Sequence, residues 1–255
     1  MYKKRYGQNF LINNGIAKKI LLNEKIKNQN ILEIGTGNLA LTNLIICDNP
    51  KKFIGIEVDK DLKKNYVQKK ILDKIIFEDA LKINERKLFQ NENFSIVSNL
   101  PFNISSELVI KWCEIQNSYN CINNMILMFQ KELGEKIIAN LNTKKYGRLS
   151  ILCRAFFSIE KKIIVTKNNF FPSPKVDTIV LKFIPHKINK IKRNSFKKLE
   201  KITKFFFNER RKINKKKIIQ NFSIKQIEKF NLHKLYNLRA ENIDDEVFFK
   251  LCNVI

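Results

Sequence analysis

The stretch Leu32-Glu33-Ile34-Gly35-Thr36-Gly37-Asn38-Leu39 joins a short apolar run to a Gly-x-Gly turn. Such runs are typical of buried strands in parallel sheets, and glycines in the following turn let the backbone approach a nucleotide ligand closely. A dinucleotide-binding turn would carry a third glycine, which is missing here. The stretch therefore predicts a strand and turn of a nucleotide-binding α/β sheet and disfavours a ligand with a pyrophosphate.

Seven short β-like runs occur in the first two-thirds of the chain, with helical patterns between the early ones. They cover residues 30–34, 53–58, 74–77, 94–98, 125–129, 150–156 and 178–183. This alternation predicts a doubly wound α/β (Rossmann-like) domain with a seven-stranded, mostly parallel sheet. A proline-rich, strand-like connection separates the last two runs, so we expect those two to pair antiparallel.

The character of the sequence changes after Pro185. Strand signals stop, basic residues accumulate, and one apolar face at helical spacing is formed by Phe196, Leu199, Ile202 and Phe206. Ser223 and Gln226 have the spacing of a capping box that begins a further helix. We therefore predict an α/β domain over residues 1–187 and a small, basic, all-helical domain over residues 188–255.

Net charge indicates a polyanionic partner. The chain carries 49 Lys and Arg against 24 Asp and Glu, a formal charge of +25. An A+T-rich genome would explain abundant lysine but not its clustering: residues 187–217 hold 14 Lys and Arg against Glu200 and Glu209, a net charge of +12. Such a cluster fits nucleic-acid phosphates. A membrane surface is disfavoured, because no long amphipathic helix with a bulky apolar face accompanies the cluster.

Several other classes of protein are disfavoured by composition. No apolar run approaches the roughly 20 residues of a membrane span, and residues 1–7 lack an apolar stretch behind their charges, so we expect a cytoplasmic location. The five cysteines form no C-x-x-C pair, and neither His186 nor His233 lies at ligand spacing, so we expect no metal site. Acid–base catalysis by histidine is also not expected.

Acidic residues follow the second and third runs at the same predicted sheet edge. Glu57 lies 22 residues beyond Gly35, where a carboxylate is placed to accept both hydroxyls of a ribose. Asp79, followed by Ala80, suits an adenine amino group. A small ligand with an adenosine but no phosphate fits the two acids together with Gly35 and Gly37. S-adenosylmethionine is the common ligand of that kind, and we predict it as the cofactor.

The turn Asn99-Leu100-Pro101-Phe102 stands at the end of the fourth run. An adenine N6 amine is a poor nucleophile, because its lone pair is delocalised into the ring. The Asn99 amide carbonyl and the Leu100 backbone carbonyl are placed to accept the two amine hydrogens, which favours a tetrahedral nitrogen with its lone pair towards the methyl group. Pro101 fixes the backbone angle, and Phe102 offers a ring on which the base can stack.

These motifs resemble those of the ribosomal RNA adenine dimethyltransferases over nearly the whole chain. Lys4-Arg5-Tyr6-Gly7-Gln8-Asn9-Phe10-Leu11 is similar to the family's N-terminal cofactor motif, and Asn99-Leu100-Pro101-Phe102-Asn103-Ile104-Ser105 to its catalytic motif. Further matches are Phe129-Gln130-Lys131-Glu132, Tyr146-Gly147-Arg148-Leu149-Ser150 and Phe170-Phe171-Pro172-Ser173-Pro174-Lys175-Val176-Asp177. The chain departs from the family at three positions: Leu39 replaces a glycine, Thr36 a frequent proline, and Phe102 the commoner tyrosine.

The resemblance implies a class I methyltransferase fold and assigns further residues. Gln8, Asn9 and Leu11 would line the methionine side of the cofactor, Asn99 would also contact the cofactor, and Phe170 would be a second base-stacking ring. The segments Arg210-Arg211-Lys212 and Arg239-Ala240-Glu241-Asn242 look like the C-terminal domain of the bacterial small-subunit branch, with the first of them binding RNA.

The branch implies a substrate and partners. The substrate would be two adjacent adenosines in a hairpin near the 3′ end of small-subunit ribosomal RNA, each dimethylated at N6. The partner would be the immature small ribosomal subunit, and the enzyme would be a monomer with a role in subunit biogenesis.

Three alternatives remain open from the sequence. The first is a large-subunit adenine methyltransferase of the antibiotic-resistance type, against which the segments at 146–150 and 239–242 argue. The second is a non-catalytic RNA-binding assembly or transcription factor, against which the intact Asn99 turn and acidic residues argue. The third is a small-molecule methyltransferase, and the basic C-terminal region disfavours it.

Overall fold

The computed structural model describes residues 6–254. Its strands are β1 (Phe10–Leu11), β2 (Asn30–Ile34), β3 (Lys52–Glu57), β4 (Ile75–Phe77), β5 (Phe94–Asn99), β6 (Ile122–Gln130), β7 (Phe157–Val165), β8 (Phe170–Phe171) and β9 (Thr178–Pro185). Its α-helices are α1 (Asn14–Leu21), α2 (Thr42–Cys47), α3 (Lys63–Gln68), α4 (Glu85–Leu88), α5 (Ser105–Tyr119), α6 (Lys131–Ile137), α7 (Arg148–Arg154), α8 (Phe196–Phe207), α9 (Lys215–Asn221), α10 (Ile224–Lys229) and α11 (Asp245–Val254).

Seven strands form one sheet in the order β4-β3-β2-β5-β6-β9-β7. The five strands β2 to β6 are parallel, and β9 pairs antiparallel with β6. Every residue of β2 is buried, as expected for a central strand covered on both faces. From β2 the chain continues to β3 and β4 on one side of the sheet and then to β5 and β6 on the other. The carboxyl ends of β2 and β5 therefore border the crevice where doubly wound sheets bind ligands. The predicted seven-stranded, doubly wound sheet is confirmed.

One predicted strand is wrong. Residues 150–156 lie mostly in helix α7, and the seventh strand of the sheet is β7, which begins at Phe157. Residues Ser150, Ile151, Leu152 and Cys153 are all buried, and a short, fully buried apolar run has the same pattern in a helix and in a strand. β7 lies beside β9 and runs antiparallel to it, since the amide of His186 donates to Phe156 O at 2.9 Å and the Thr178 hydroxyl to Val165 O at 3.2 Å.

The chain divides into two compact units. The sheet unit runs to Trp112 and also contains Asn120–Gly134 and Ser158–Pro185, whereas the helical unit contains Cys113–Tyr119, Glu135–Phe157 and the chain from His186 onwards. The break at residue 185 lies close to the predicted boundary after residue 187. We predicted two contiguous stretches of chain, whereas each unit in the structure combines several segments.

Two polar side chains tie the earlier segments into the helical unit. The Asn117 amide nitrogen donates to Lys192 O, its oxygen accepts from Phe196 N, and both distances are 2.9 Å. The Tyr146 hydroxyl donates to Ile243 O at 3.1 Å. These bonds explain why the end of α5 and the segment around α7 belong to this unit.

Within the helical unit, the predicted apolar face of α8 is largely confirmed. Phe196, Leu199 and Phe206 are buried, while Thr203 takes the fourth buried position instead of Ile202. The capping box before α10 is also confirmed: Gln226 N donates to the Ser223 hydroxyl at 3.3 Å, and Ser223 N donates to the Gln226 side chain at 2.9 Å.

Candidate functional site

A cavity opens in the sheet unit where the carboxyl ends of β2, β3 and β5 meet. The sequence-predicted cofactor and catalytic residues lie in its lining, with Phe170 as the exception: Gln8, Asn9, Leu11, Gly35, Gly37, Glu57, Asp79, Ala80, Asn99, Leu100, Pro101 and Phe102. Residues up to 94 positions apart in the chain are thus brought together. Lys4 and Arg5, which begin the N-terminal motif, lie outside the described residues.

The Gly-x-Gly turn after β2 has the backbone conformation that its sequence predicts. Gly35 and Gly37 have φ angles of +72° and +50°, in the left-handed region that favours glycine. A Cβ atom on Gly37 would also come within 2.9 Å of the Phe10 ring. The Tyr66 hydroxyl donates to Gly37 O at 2.9 Å, and the amide of Gly37 donates to the Glu57 carboxylate at 3.0 Å.

Leu39 shares this left-handed conformation, with φ +70°, although its side chain is buried. A non-glycine residue is strained there. This backbone conformation would suit the glycine that the family resemblance implies at this position.

Glu57 ends β3 and is 5% exposed. Its Oε1 accepts from the amides of Val58 and Asp59 at 2.9 Å each, and its Oε2 accepts from Gly37. Burial raises the pKa of Glu57, while these three N–H bonds counteract the rise. Since a carboxylate has about four acceptor sites, Oε2 keeps one for a hydroxyl group in the cavity.

Glu33 is a second buried carboxyl group in the cavity lining, and sequence reasoning missed it. The Thr42 hydroxyl donates to its Oε2 at 2.6 Å. Burial, with the neighbouring charge of Glu57 as a smaller cause, raises the pKa of Glu33 to about 8. The group is therefore mostly protonated at neutral pH. The sequence signal that could have identified Glu33 is an acidic residue among the apolar residues of β2.

The loop that carries Asp79 and Ala80 is held by a residue that the sequence did not single out. The Lys111 ammonium, on α5, donates to Ala80 O at 2.9 Å and to Ile83 O at 2.8 Å. It also forms a 3.0 Å ion pair with Glu85, which is buried. The loop is thereby fixed to the helix that follows the Asn99 turn.

Asn99 is the last residue of β5, and its amide is oriented by the N-terminal segment. Its Nδ2 donates to Asn9 O at 2.9 Å. Its Oδ1 is buried and has no hydrogen-bond partner among the described residues. An unpaired buried acceptor is costly. The turn thus holds one buried carbonyl oxygen that has no partner, and both Asn99 and the half-buried Phe102 belong to the cavity lining.

The N-terminal segment is anchored beside the sheet. Strand β1 pairs antiparallel with β8, with Leu11 opposite Phe170 and Phe10 opposite Phe171. The Gln8 amide nitrogen donates to the Asp59 carboxylate at 2.8 Å. These contacts place Gln8, Asn9 and Leu11 along one wall of the cavity.

Phe170 is not in the cavity lining. It is 3% exposed and belongs to a buried cluster that also contains Leu11 and Val165, whereas Phe171 is 63% exposed. Successive residues of a strand point to opposite faces, and here the first ring of the pair points inward. A base-stacking role for Phe170 is therefore at odds with its place in the structure.

The predicted RNA-binding residues lie in the helical unit, and two of them are engaged within it. Arg210 Nε donates to the Glu241 carboxylate at 2.9 Å, and Arg210 also donates to Thr143 O. Lys212 forms an ion pair of 2.5 Å with Glu209. Arg211 is exposed and forms no hydrogen bond or ion pair with another residue of the described chain.

A model of the family described as ribosomal RNA adenine dimethylase matches residues 1–255. The chain belongs to that family. Two relatives named ribosomal RNA small subunit methyltransferase A support the assignment. The one from Pelagibacter ubique is 40% identical, with 98% of this chain and 95% of the relative covered. The one from Wolbachia sp. subsp. Drosophila simulans is 37% identical, with coverages of 98% and 92%.

Solved structures agree with the family assignment. A dimethyladenosine transferase from Plasmodium falciparum superposes with a TM-score of 0.78 and 27% identity, over 95% of each chain. The 23S rRNA methyltransferase ErmE, with a TM-score of 0.70 and 19% identity over 96% of this chain and 98% of its own, shares the fold. The predicted class I methyltransferase fold and the predicted enzyme class, an rRNA methyltransferase, are thus confirmed.

Residues 6–254 contain no cluster of three or more His, Cys, Asp and Glu side chains arranged to hold a metal ion. No helix in the same range is both long enough and apolar enough to cross a membrane.

Proposed function

We propose that this enzyme transfers methyl groups from S-adenosylmethionine to the N6 amines of two adjacent adenosines near the 3′ end of small-subunit ribosomal RNA, giving N6,N6-dimethyladenosine. The family supports the reaction, and the names of both relatives support the small subunit. The observation that carries the proposal is the free, buried Oδ1 of Asn99. An acceptor without a partner fits a base that presents an N–H group.

The cavity fits an adenosine-containing cofactor. The spare acceptor site of Glu57 would hold a ribose hydroxyl, and Asp79 with Ala80 would contact the adenine ring. Gln8, Asn9 and Leu11 would line the methionine side, and the glycine turn would pass close to the ligand. When bound, S-adenosylmethionine supplies an electrophilic methyl group on a sulfonium sulfur.

The residues of the turn act on the target base. Asn99 Oδ1 accepts one N6 hydrogen, and the Leu100 carbonyl accepts the other, so that the nitrogen lone pair is freed from the ring and directed at the methyl carbon. Phe102 stacks on the base and fixes its plane. The proton that the nitrogen gives up on methylation would pass to water. The chain needs no histidine for this reaction.

The proposal includes the setting of the reaction. The substrate is the immature small ribosomal subunit, in which the hairpin is accessible, and the enzyme acts as a monomer in the cytoplasm, in subunit biogenesis. A large-subunit substrate is not favoured, because the similarity to ErmE, at 19% identity, concerns the fold alone. A non-catalytic role is not favoured either, since the Asn99 turn is intact.

Methyl transfer by an Asn99→Ala variant tests the proposal. Tritiated methyl transfer is measured on undermethylated small subunits and on naked RNA, with primer extension to locate the modified bases. We expect a loss of about 10²–10³ in rate with unchanged affinity for S-adenosylhomocysteine, because the lost contact acts on the base. Asn65→Ala, an exposed residue of α3, is the control. Asn99→Ala activity within a few-fold of wild type would contradict the assigned role.

A further inference from the structure

Residues 8–12 form an extended N-terminal segment that is hydrogen-bonded along both of its edges. The amide of Ile12 donates to Asn169 O at 2.9 Å, so one edge faces β8, with which β1 pairs. In an antiparallel pair, the backbone groups of a strand face the partner strand only at every second residue. The carbonyl groups of Asn9 and Leu11 are thus on the other edge of the segment.

Two asparagine side chains bind this second edge. Asn38 Nδ2 donates to Leu11 O at 2.8 Å, and Asn99 Nδ2 donates to Asn9 O at 2.9 Å. Asn38 lies in the Gly-x-Gly turn after β2, and Asn99 is the last residue of β5. The N-terminal segment therefore connects the Gly-x-Gly turn to the turn that is assigned to the target base.

The Asn9 carbonyl determines which atom of the Asn99 amide faces the segment. A carbonyl oxygen accepts hydrogen bonds, so it selects the Nδ2 group and turns Oδ1 away. Rotation of the amide by half a turn would bring Oδ1 against the Asn9 carbonyl, and two acceptors would then face each other. Because Oδ1 is buried without a partner, the bond to Asn9 is the one side-chain hydrogen bond within residues 6–254 that fixes this orientation.

We propose that Asn38 is a positioning residue for methyl transfer. It holds the Leu11 carbonyl, which sets the position of the Asn9 carbonyl two residues away and thereby the orientation in which Asn99 Oδ1 meets the adenosine amine. The inference rests on the proposed function, which assigns that contact to Asn99. Such a contact must be held closely, because a small misplacement of a group that orients the substrate costs rate.

The other anchors of the segment do not involve Asn38. The Gln8 amide nitrogen donates to the buried Asp59 carboxylate at 2.8 Å, and β1 pairs with β8. Asn38 itself is an exposed residue of the turn. We therefore expect an Asn38→Ala variant to fold and to keep the segment beside the sheet, while the carbonyl edge loses one of its two side-chain donors.

A double-mutant cycle between positions 38 and 99 tests the inference. Methyl transfer at saturating RNA and cofactor is measured for the wild type, Asn38→Ala, Asn99→Ala and the double variant. We expect Asn38→Ala to lower turnover about five- to tenfold in the wild-type chain, the usual effect of one neutral hydrogen bond, and by less than about twofold when residue 99 is already alanine. Losses that multiply in the double variant would overturn the inference, because Asn38 would then act without Asn99.

The control is Asn221→Ala, in which an exposed asparagine loses a bond of the same kind, from Nδ2 to Lys217 O at 2.9 Å. We expect it to keep the wild-type turnover. Asn38 also lies in the cavity lining, so calorimetric titration with S-adenosylhomocysteine separates positioning from a direct contact with the cofactor. Full turnover of Asn38→Ala at saturating cofactor, with weaker S-adenosylhomocysteine binding, would overturn the inference and make Asn38 a cofactor contact.

A second measurement does not depend on the reaction. The side-chain amide of Asn99 is assigned in NMR spectra as the resonance pair missing from Asn99→Ala, and exchange of its protons with water is followed. We expect faster exchange in Asn38→Ala than in the wild type and in Asn221→Ala. Unchanged exchange and normal turnover in Asn38→Ala, with Asn99→Ala inactive, overturn the inference and leave the proposed function intact. Faster exchange in Asn38→Ala, without methyl transfer by the wild type, supports the link to Asn99 and overturns the function.

Discussion

The ammonium group of Lys111 donates a hydrogen bond of 2.9 Å to the carbonyl oxygen of Ala80. Helix α5, which carries Lys111, begins directly after the Asn99 turn, and Ala80 lies in the loop assigned to the adenine of the cofactor. The bond therefore ties the Asp79–Ala80 loop to the helix that follows the Asn99 turn. Lys111 itself is not in the cavity lining, so the role of its hydrogen bond is to position the loop.

Replacement of Lys111 by methionine is expected to lower both stability and cofactor affinity. The buried Glu85 would lose its counter-ion, at a cost of about 3 kcal/mol or more. Adding Glu85→Gln should recover most of that stability but not the affinity for S-adenosylhomocysteine, which we expect to fall about tenfold because the loop stays untethered. Urea unfolding and calorimetric titration measure the two effects. Normal affinity in the double variant would show that Lys111 does not position the loop.

Glu57→Ala is expected to weaken cofactor binding at least tenfold. The variant loses a charge-assisted hydrogen bond to the ribose, which is worth about 1.5–3 kcal/mol, and leaves the amide of Gly37 without its partner. Calorimetric titration with S-adenosylhomocysteine measures the loss, and the exposed Asp73→Ala provides the same change of charge as a control. Equal affinities of the two variants for S-adenosylhomocysteine would show that Glu57 does not bind the cofactor.

Glu33 should make stability depend on pH. Its pKa is about 8 in the folded protein against an ordinary value of 4.5, so between these values the unfolded chain ionises while the folded protein stays protonated. The free energy of unfolding therefore falls as pH rises through this window, by up to about 1.4 kcal/mol per pH unit. The contribution of Glu33 to the free energy of unfolding is fully present below pH 4.5 and is lost above pH 8.

Glu33→Gln removes this titration and keeps the shape of the side chain. We expect the variant to lose that part of the pH slope and to be more stable than the wild type near pH 8. Urea unfolding between pH 4.5 and 8.5 is the measurement, with the exposed Glu160→Gln expected to keep the wild-type slope. Parallel curves for Glu33→Gln and the wild type would mean that Glu33 is ionised when folded.

Phe102 should tolerate tyrosine and not alanine. Stacking on a base is worth about 1–3 kcal/mol and does not require a hydroxyl group. Phe102→Tyr is therefore expected to keep most of the wild-type turnover, and Phe102→Ala to lose tenfold or more without a matching fall in melting temperature. If turnover falls only as far as unfolding does, Phe102 is a structural residue.

The neighbouring rings Phe170 and Phe171 should behave oppositely on truncation. Phe170→Ala is expected to lower the free energy of unfolding by about 3–5 kcal/mol, because it removes a buried ring, and Phe171→Ala to change it by less than about 0.5 kcal/mol. Urea unfolding and methyl transfer on both variants are the measurements. A stable Phe170→Ala protein without activity would restore Phe170 as a base-stacking residue.

The sheet and most of the cavity could be predicted, because their signals are local. Glycines at 35 and 37 and the acid at 57 each follow an apolar run, and the parallel topology brings the ends of such runs to one edge. The prediction of a strand at 150–156 was wrong because burial on all sides removes the periodicity that distinguishes a helix from a strand.

What could not be predicted depends on contacts between distant residues. Lys111 lies 31 positions from Ala80, and Arg210 lies 31 positions from its partner Glu241. No spacing rule connects either pair. Phe170 and Phe171 differ by one position, and the strand register alone decides which ring is buried.

The single free acceptor of Asn99 has a consequence for the end point of the reaction. An unmodified adenosine offers two N–H groups and a monomethylated one still offers one, so both satisfy the buried Oδ1. A dimethylated adenosine offers none and leaves that oxygen unpaired again, at a cost of about 1–3 kcal/mol. If Asn99 binds the target amine as proposed, the cavity would retain the monomethylated intermediate more tightly than the dimethylated product, and the second methyl group would itself promote release of the finished base.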